Sequence, residues 1–288
     1  MDVYSFAIQL LNGVQYGLLL FLVASGLTLI FGIMGIINLA HGSFYMVGAY
    51  MAFSLSALTG NLLIAIVLGI ALSIALGVFL EWALFSHLYK RDHLEQVLLT
   101  YGLILVFEEL RSLIVGNDVH SVAVPDLFNW SIPLTATLSY PVYRLFMSAV
   151  CIVLAVLMYL LIARTRLGMM IRAGASNREM VQSLGLNINL VYRLVFALGV
   201  ALAAFAGMLA APVSSVYPGM GTGVLIICFV VVVIGGIGSI WGALVAALLI
   251  GLADTFGQVM VPEASGAIVY VLMAAILLWR PEGLFRRV

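Results

Sequence analysis

The chain has 288 residues, 65% of them hydrophobic and only 8% charged, with twelve basic and twelve acidic side chains and a mean hydropathy of +1.23. An ordinary soluble domain carries about 25% charged residues, so there is too little polar surface here to cover a water-soluble globule. The zero formal net charge also argues against nucleic acid as a partner.

The apolar residues fall in runs of about 20, each long enough for a helix to cross a hydrocarbon core about 30 Å thick. Strand-like alternation is missing, which favours helices over a closed barrel. The pattern predicts an all-α integral membrane protein. It is a single transmembrane domain over residues 1–288, a polytopic bundle of eight or nine transmembrane or re-entrant helices. The expected spans are near 10–33, 36–58, 61–84, 96–116, 140–163, 191–212, 223–239, 241–260 and 265–280. The second and the last three are those most open to re-entry or a break. The opening "MDVYSFAIQL" has no basic leader, and its apolar run continues without a cleavage site, so no signal peptide is expected. Cys151 and Cys228 lie inside apolar runs and read as core filling rather than a disulfide framework.

The first chemically unusual stretch is "GIINLAHGSFYMVGAY", Gly35 to Tyr50. It places Asn38, His41 and Ser43 just after the Gly32 and Gly35 pair, where a helix can break or backbones can approach closely. On a helix Asn38 and His41, three apart, share a face. They either line a translocation path, offering weak hydrogen bonds to a passing solute, or pin one helix to another. A metal site is not expected, because no second His or Cys is near in sequence.

Further along, the intramembrane charges are few: Glu81, Glu108, Glu109, Arg111 and Asp254. Such groups face the bundle interior and usually pair. Glu108 and Arg111 are spaced for a local ion pair, and Asp254 shares a face with Gln258. The segment 117–139 holds Pro125, Trp130 and Pro133 and is long enough for a lid, an interfacial helix or a plain linker.

The segment 164–190 reads "RTRLGMMIRAGASNREMVQSLGLNINL". Ser176 and Glu179 have capping-box spacing. Met180, Val181 and Leu184 follow on one side, and Gly185 stands where a left-handed residue would end the helix. The expected element is a helix of about two turns with an uncovered apolar side. It either lies on lipid headgroups or docks into a groove of a soluble partner. There is also an internal echo. "GIMGIINLAHGSFYMVGA" (32–49) and "GGIGSIWGA" (235–243) both have closely spaced glycines, then Gly-Ser, an aromatic residue and Gly-Ala. Gly-interrupted segments in two halves point to a transport site, although Gly- and Ala-rich helices also resemble one another without a repeat.

Ten of the twelve basic residues fall in three segments: Lys90 and Arg91; Arg164, Arg166, Arg172, Arg178 and Arg193; and Arg280, Arg286 and Arg287. The positive-inside rule assigns these to the cytoplasm, with an outside N-terminus, an inside C-terminus and an odd number of crossings, nine or seven.

Glu179-Met-Val-Gln-Ser-Leu-Gly185 keeps the Glu and Gly of the E-A-A-x-x-x-G loop of ABC-importer permeases, with Met180 and Val181 in place of the alanines. "GLTLIFGIMGIINLAHGSFYMVGAY", "RTRLGMMIRA", "NREMVQSLG", "GGIGSIWGALVAALLIG" and the closing "RPEGLF" together resemble the branched-chain amino acid ABC permease family, its LivH-type subunits, over nearly the whole chain. The resemblance implies a multi-pass permease of the bacterial cytoplasmic membrane that passes hydrophobic amino acids inward. It implies as partners a second related permease, two ATPase subunits that bind ATP and Mg, and a substrate-binding protein. It also implies that Arg166, Gly168, Arg172 and Ser176, with the 179–185 segment, couple the chain to an ATPase. The chain itself has no Walker A loop, since its single lysine, Lys90, precedes Arg91. A self-sufficient ion-coupled transporter using Asp254 or Glu108 remains the alternative. An intramembrane enzyme has no motif to support it.

Overall fold

A computed structural model describes residues 3–89, 91–134, 138–176, 178–183, 185 and 187–285. Eleven α-helices make up nearly all of it: α1 (Val3–Met34), α2 (His41–Thr59), α3 (Leu62–Ala83), α4 (His93–Val115), α5 (Val142–Arg164), α6 (Arg166–Ser176), α7 (Arg178–Ser183), α8 (Ile188–Ala210), α9 (Met220–Gly235), α10 (Ile240–Met260) and α11 (Ser265–Trp279). The segment expected as a lid holds a short 3-10 turn, Asp126–Phe128. It also holds a two-stranded antiparallel hairpin of β1 (Ser131–Pro133) and β2 (Ser139–Pro141).

Helices form because the apolar runs carry few breakers, and at α3, α8 and α10 a polar side chain caps the first turn. Asn61 caps α3 by accepting from Leu63 N at 2.8 Å, and Asn187 caps α8 by accepting from Asn189 and Leu190 N. Among the described residues, six helical stretches are long and apolar enough to cross a membrane: α1, α3 with its following turn, α5, α8, α10, and α11 with its preceding turn. The chain is thus an all-α polytopic membrane protein.

Helices α1 and α8 form the centre. Both are apolar around most of their circumference and buried over most of their length, as expected for helices surrounded by others. α10 packs along α1, while α2 and α3 pack on α8. Small residues set the contacts: a Cβ on Gly26 would lie 2.7 Å from the Gly199 carbonyl, and one on Gly77 2.7 Å from Ala197 Cα. Close backbone approach of this kind replaces the hydrophobic drive that lipid cannot supply. α3, α5 and α11 turn large apolar side chains outward, among them Leu72, Phe79, Ile152, Val271 and Leu278.

α1 starts at Val3 rather than near residue 10, α9 ends at Gly235 rather than 239, and two further differences bear on the site. The second span was expected from residue 36, but α2 starts at His41 after a non-helical stretch, with Gly35 at φ +68°. Asn38 is therefore outside the helix, and the shared helical face expected for Asn38 and His41 does not form. The second difference is in the arginine-rich segment, which holds two helices rather than one. α6 ends at Ser176 and α7 begins at Arg178; the expected capping box of Ser176 and Glu179 involves a side chain, that of Glu179, outside the described residues. The reason is α6 itself, whose Gly168, Ile171 and Gly174 are buried and carry helix through to Ser176.

Candidate functional site

The depth at which α2 begins decides the geometry of the site. His41 is fully buried, and its Nε2 lies 2.9 Å from the Val23 carbonyl of α1. Val23 is eleven residues before the end of α1, or roughly 16 Å at 1.5 Å per residue. The connector 35–40 therefore climbs back along α1 before α2 starts. Tyr50 and Phe53 of α2 then meet His120, beyond the end of α4, so α2 runs toward the end of the bundle from which α1 set out. α2 is a helix whose N-terminus sits inside the bundle.

α9 does the mirror-like thing. The chain leaves α8 at Ala210, and Val216 pairs by backbone with His120, N to O at 2.8 and 2.9 Å. It then descends to start α9 at Met220, behind Gly219 at φ +78°. Gly221 meets Gly42 there. A Cβ on Gly221 would lie 2.5 Å from the Gly42 carbonyl, and one on Gly42 would strike the Gly221 carbonyl. The N-termini of α2 and α9 thus meet at the depth of Val23, and the two helices leave in opposite directions. α9 ends at Gly235, next to the break 236–239 that precedes α10. Gly238 of that break packs on Gly32 near the end of α1, where a Cβ on Gly32 would lie 2.9 Å from Gly238 Cα. The two echoing segments of sequence are therefore both helix–break–helix units, and their glycines touch.

Each helix N-terminus carries a partial positive charge, while the first-turn N–H groups of His41 and Ser43 donate to Asn38 O and Ala40 O, and those of Met220 and Thr222 to Tyr217 O and Gly219 O. At the contact itself each glycine faces the other's carbonyl oxygen. Around them the side chains are polar but sealed. Asn38 Oδ1 accepts from Ala40 N at 3.1 Å, holding the turn into α2, while its Nδ2 has no partner. With His41 Nε2 donating to Val23, Nδ1 is an acceptor without a partner. Ser43 is buried, and its N–H donates to Ala40 O at 3.0 Å. A buried polar atom without a partner costs about 1–3 kcal/mol. On α9 the first turn is open instead: Thr222 and Gly223 are exposed, as are Ser214, Ser215 and Tyr217 just before it.

The arginine-rich segment lies against the far end of α5. A Cβ on Gly168 would strike the Leu161 and Ile162 carbonyls, and Arg172 donates to the Ile162 carbonyl. Arg166 and Ser176 are exposed. In α7 Val181 is buried and Met180 is exposed, so the apolar side is partly covered by the chain itself. Gly185 has φ +79°, the left-handed conformation expected of a helix terminator. The Glu179 side chain and Leu184 lie outside the described residues.

Of the charged residues, Arg111 bonds Glu108 at 3.2 Å, the Gly116 carbonyl at 2.7 Å and Asn117 Oδ1 at 3.0 Å, which ties off the end of α4. Asp254 accepts from Gln258 at 2.7 Å on α10. One cluster was not legible beforehand. Glu81 of α3, fully buried, accepts from Arg193 Nε of α8 at 2.8 Å and from the Tyr89 hydroxyl. Arg193 counted only as a loop charge in the sequence. The clue was that a buried carboxylate at the end of a span requires a cation.

Comparison with known proteins bears on what this architecture is for. The family model described as the permease component of branched-chain amino acid transport systems matches residues 9–277. The chain belongs to that family. It is similar to the high-affinity branched-chain amino acid transport system permease protein BraD of Pseudomonas aeruginosa, 31% identical over 99% of this chain and 97% of the relative. It is 32% identical to the corresponding LivH protein of Escherichia coli, over 97% of this chain and 95% of that one. A ribose import permease protein, RbsC of Escherichia coli, is 28% identical over 81% of this chain and 72% of its own length. No solved structure matches. The chain is thus a multi-pass permease component of an ABC-type branched-chain amino acid transport system.

Proposed function

We propose that this permease passes branched-chain amino acids inward along the junction of the α2 and α9 N-termini. The carrying observation is that junction, two helix starts meeting at mid-bundle through Gly42 and Gly221. The positive ends suit the solute's carboxylate. Asn38, His41 and Ser43 hold the start of α2 in place. Asn38 Nδ2 and His41 Nδ1, buried and without a hydrogen-bond partner, are the atoms that water or solute would meet along this path. The exposed Ser214, Ser215, Tyr217, Thr222 and Gly223 favour a path on that face, since irregular backbone at membrane depth must face protein or a wet cavity rather than lipid.

ATP and Mg belong, in this reading, to two ATPase partners that dock on α6 and α7. Arg166, Gly168, Arg172, Ser176, Glu179, Met180, Val181, Leu184 and Gly185 form the docking segment. A second permease completes the path and a binding protein delivers the solute. The arginine distribution supports an N-terminus outside and a C-terminus inside the cytoplasmic membrane. Similarity to a ribose permease favours leaving solute selection to the binding protein. The test is uptake per assembled complex. Asn38→Leu and His41→Leu complexes should assemble, keep an ATPase that responds to the binding protein, and lose most uptake. Normal uptake per complex in both variants would remove these residues from the path.

A further inference from the structure

A second site, apart from the junction, lies where α6 meets the bundle. A cavity of about 500 Å³ opens there, lined by Thr28 and Gly32 of α1, Ile162 of α5, Arg172 and Ser176 of α6, and Ile240 at the start of α10. Its character is mixed. Arg172 supplies a guanidinium, and the N-terminus of α10 lies at its edge. Thr28 lines it while only 1% exposed, and its Oγ1 has no hydrogen-bond partner. Ile162, Arg172 and Ile240 also belong to a neighbouring groove of about 440 Å³.

That groove is almost wholly apolar. It runs between α5 and α10 over α1, from Ile162 and Ile240 at the rim to Ile152, Leu18 and Leu248 deeper in. From Ile162 to Ile152, and from Ile240 to Leu248, it is roughly 12–15 Å long at 1.5 Å per residue. Its walls open sideways: Ile152, Val156 and Trp241 are each about half exposed. Trp241 stands beside Tyr159, ring centres 5.5 Å apart, the residue types that settle at a membrane–water interface.

A polar compartment with an arginine, joined through shared rim residues to a lateral apolar groove of acyl-chain length, has the shape and chemistry of a phospholipid. We propose that the two together bind one anionic phospholipid. Its phosphate lies by Arg172, Thr28 and the start of α10, and an acyl chain lies in the groove. The further basic side chains on this segment, Arg164 and Arg166, are exposed and complement a negative headgroup. The bound lipid would bridge α6 to α1, α5 and α10, and so fix the docking segment against the bundle.

The experiment is lipid retention, which does not depend on transport. The full-length chain, purified with its partner subunits and stripped by detergent exchange, is offered equal amounts of phosphatidylglycerol and phosphatidylethanolamine. Retained lipid is read by native mass spectrometry. Phosphatidylglycerol should be kept in preference. Arg172→Ala should lower its retention roughly fivefold, as expected for one arginine's attraction to an anionic headgroup. Ala155→Phe, which fills the groove and leaves the arginine in place, should lower it as well. Glycerophosphate in excess should not displace the lipid, because the acyl chain is half of the site. No preference for phosphatidylglycerol in the wild-type complex would overturn the proposal, whatever the variants do. So would unchanged retention in both variants, displacement by glycerophosphate, or displacement by leucine.

Discussion

Gly42 and Gly221 stand backbone to backbone, with the Gly42 carbonyl 2.5 Å from where a Cβ on Gly221 would be. Neither position has room for a methyl group, and the neighbour is backbone, which cannot rotate away. Gly42→Ala and Gly221→Ala should each destabilise the complex by about 1–3 kcal/mol or more through overpacking. Gly223, two residues along α9, has nothing within 4 Å of its would-be Cβ, so Gly223→Ala should be neutral. Thermal unfolding of the purified complexes compares the three. Equal midpoints would mean that the helix starts are not in contact.

The buried pair of Glu81 and Arg193 joins α3 to the start of α8, just after the docking segment. Glu81→Gln leaves an arginine without its carboxylate, and Arg193→Met leaves a carboxylate without its cation. Removing one partner of a buried pair costs on the order of 3 kcal/mol, less here because Arg193 is partly exposed. The double variant should be more stable than Glu81→Gln and Arg193→Met combined would suggest. A double-mutant cycle on unfolding midpoints reads the coupling, and strict additivity would refute the pair.

Gly185 is strained for any other residue by its φ of +79°, while no atom crowds it. Gly185→Val should therefore cost about 1 kcal/mol or more and reduce the amount of ATPase that co-purifies. Gly185→Asn should be milder, because asparagine enters the left-handed region more readily. The same loss of ATPase in both variants would point to crowding by a partner instead of backbone strain.

The proposed orientation puts the arginine-rich segment 164–190 in the cytoplasm and the segment 117–139 outside. Single cysteines at Ser176 and Asn129, in a background lacking Cys151 and Cys228, should react oppositely with an impermeant thiol reagent in cells with a permeabilised outer membrane. Asn129→Cys should label and Ser176→Cys should not. The reverse pattern would invert the topology.

The helical bundle and most span boundaries were legible because a run of about 20 apolar residues has one way to satisfy its backbone in lipid. The glycines at 32, 35, 235 and 238 marked both breaks in the sequence. The depth of α2 was not legible. It depends on His41 reaching Val23, eighteen residues back, and a hydrogen bond of that kind leaves no periodic trace. The link between Glu81 and Arg193 spans 112 residues and was hidden for the same reason. The helix before Ser176 was not legible either, since α6 runs up to Ser176 and a local spacing motif carries no information about the helix that precedes it. Gly185, whose role is purely local, behaved as its position suggested.

The central claim is that solute passes the junction of the α2 and α9 N-termini, and Thr222 on the first exposed turn of α9 tests it most directly. Thr222→Cys in a chain carrying Cys151→Ala and Cys228→Ala presents one thiol at mid-bundle depth, on the face argued to be wet. In the assembled complex a charged, membrane-impermeant thiol reagent should label it, and the label should block uptake of leucine. A thiol that stays unlabelled, or a labelled complex that transports at the full rate, would put that face against lipid or protein and contradict the path.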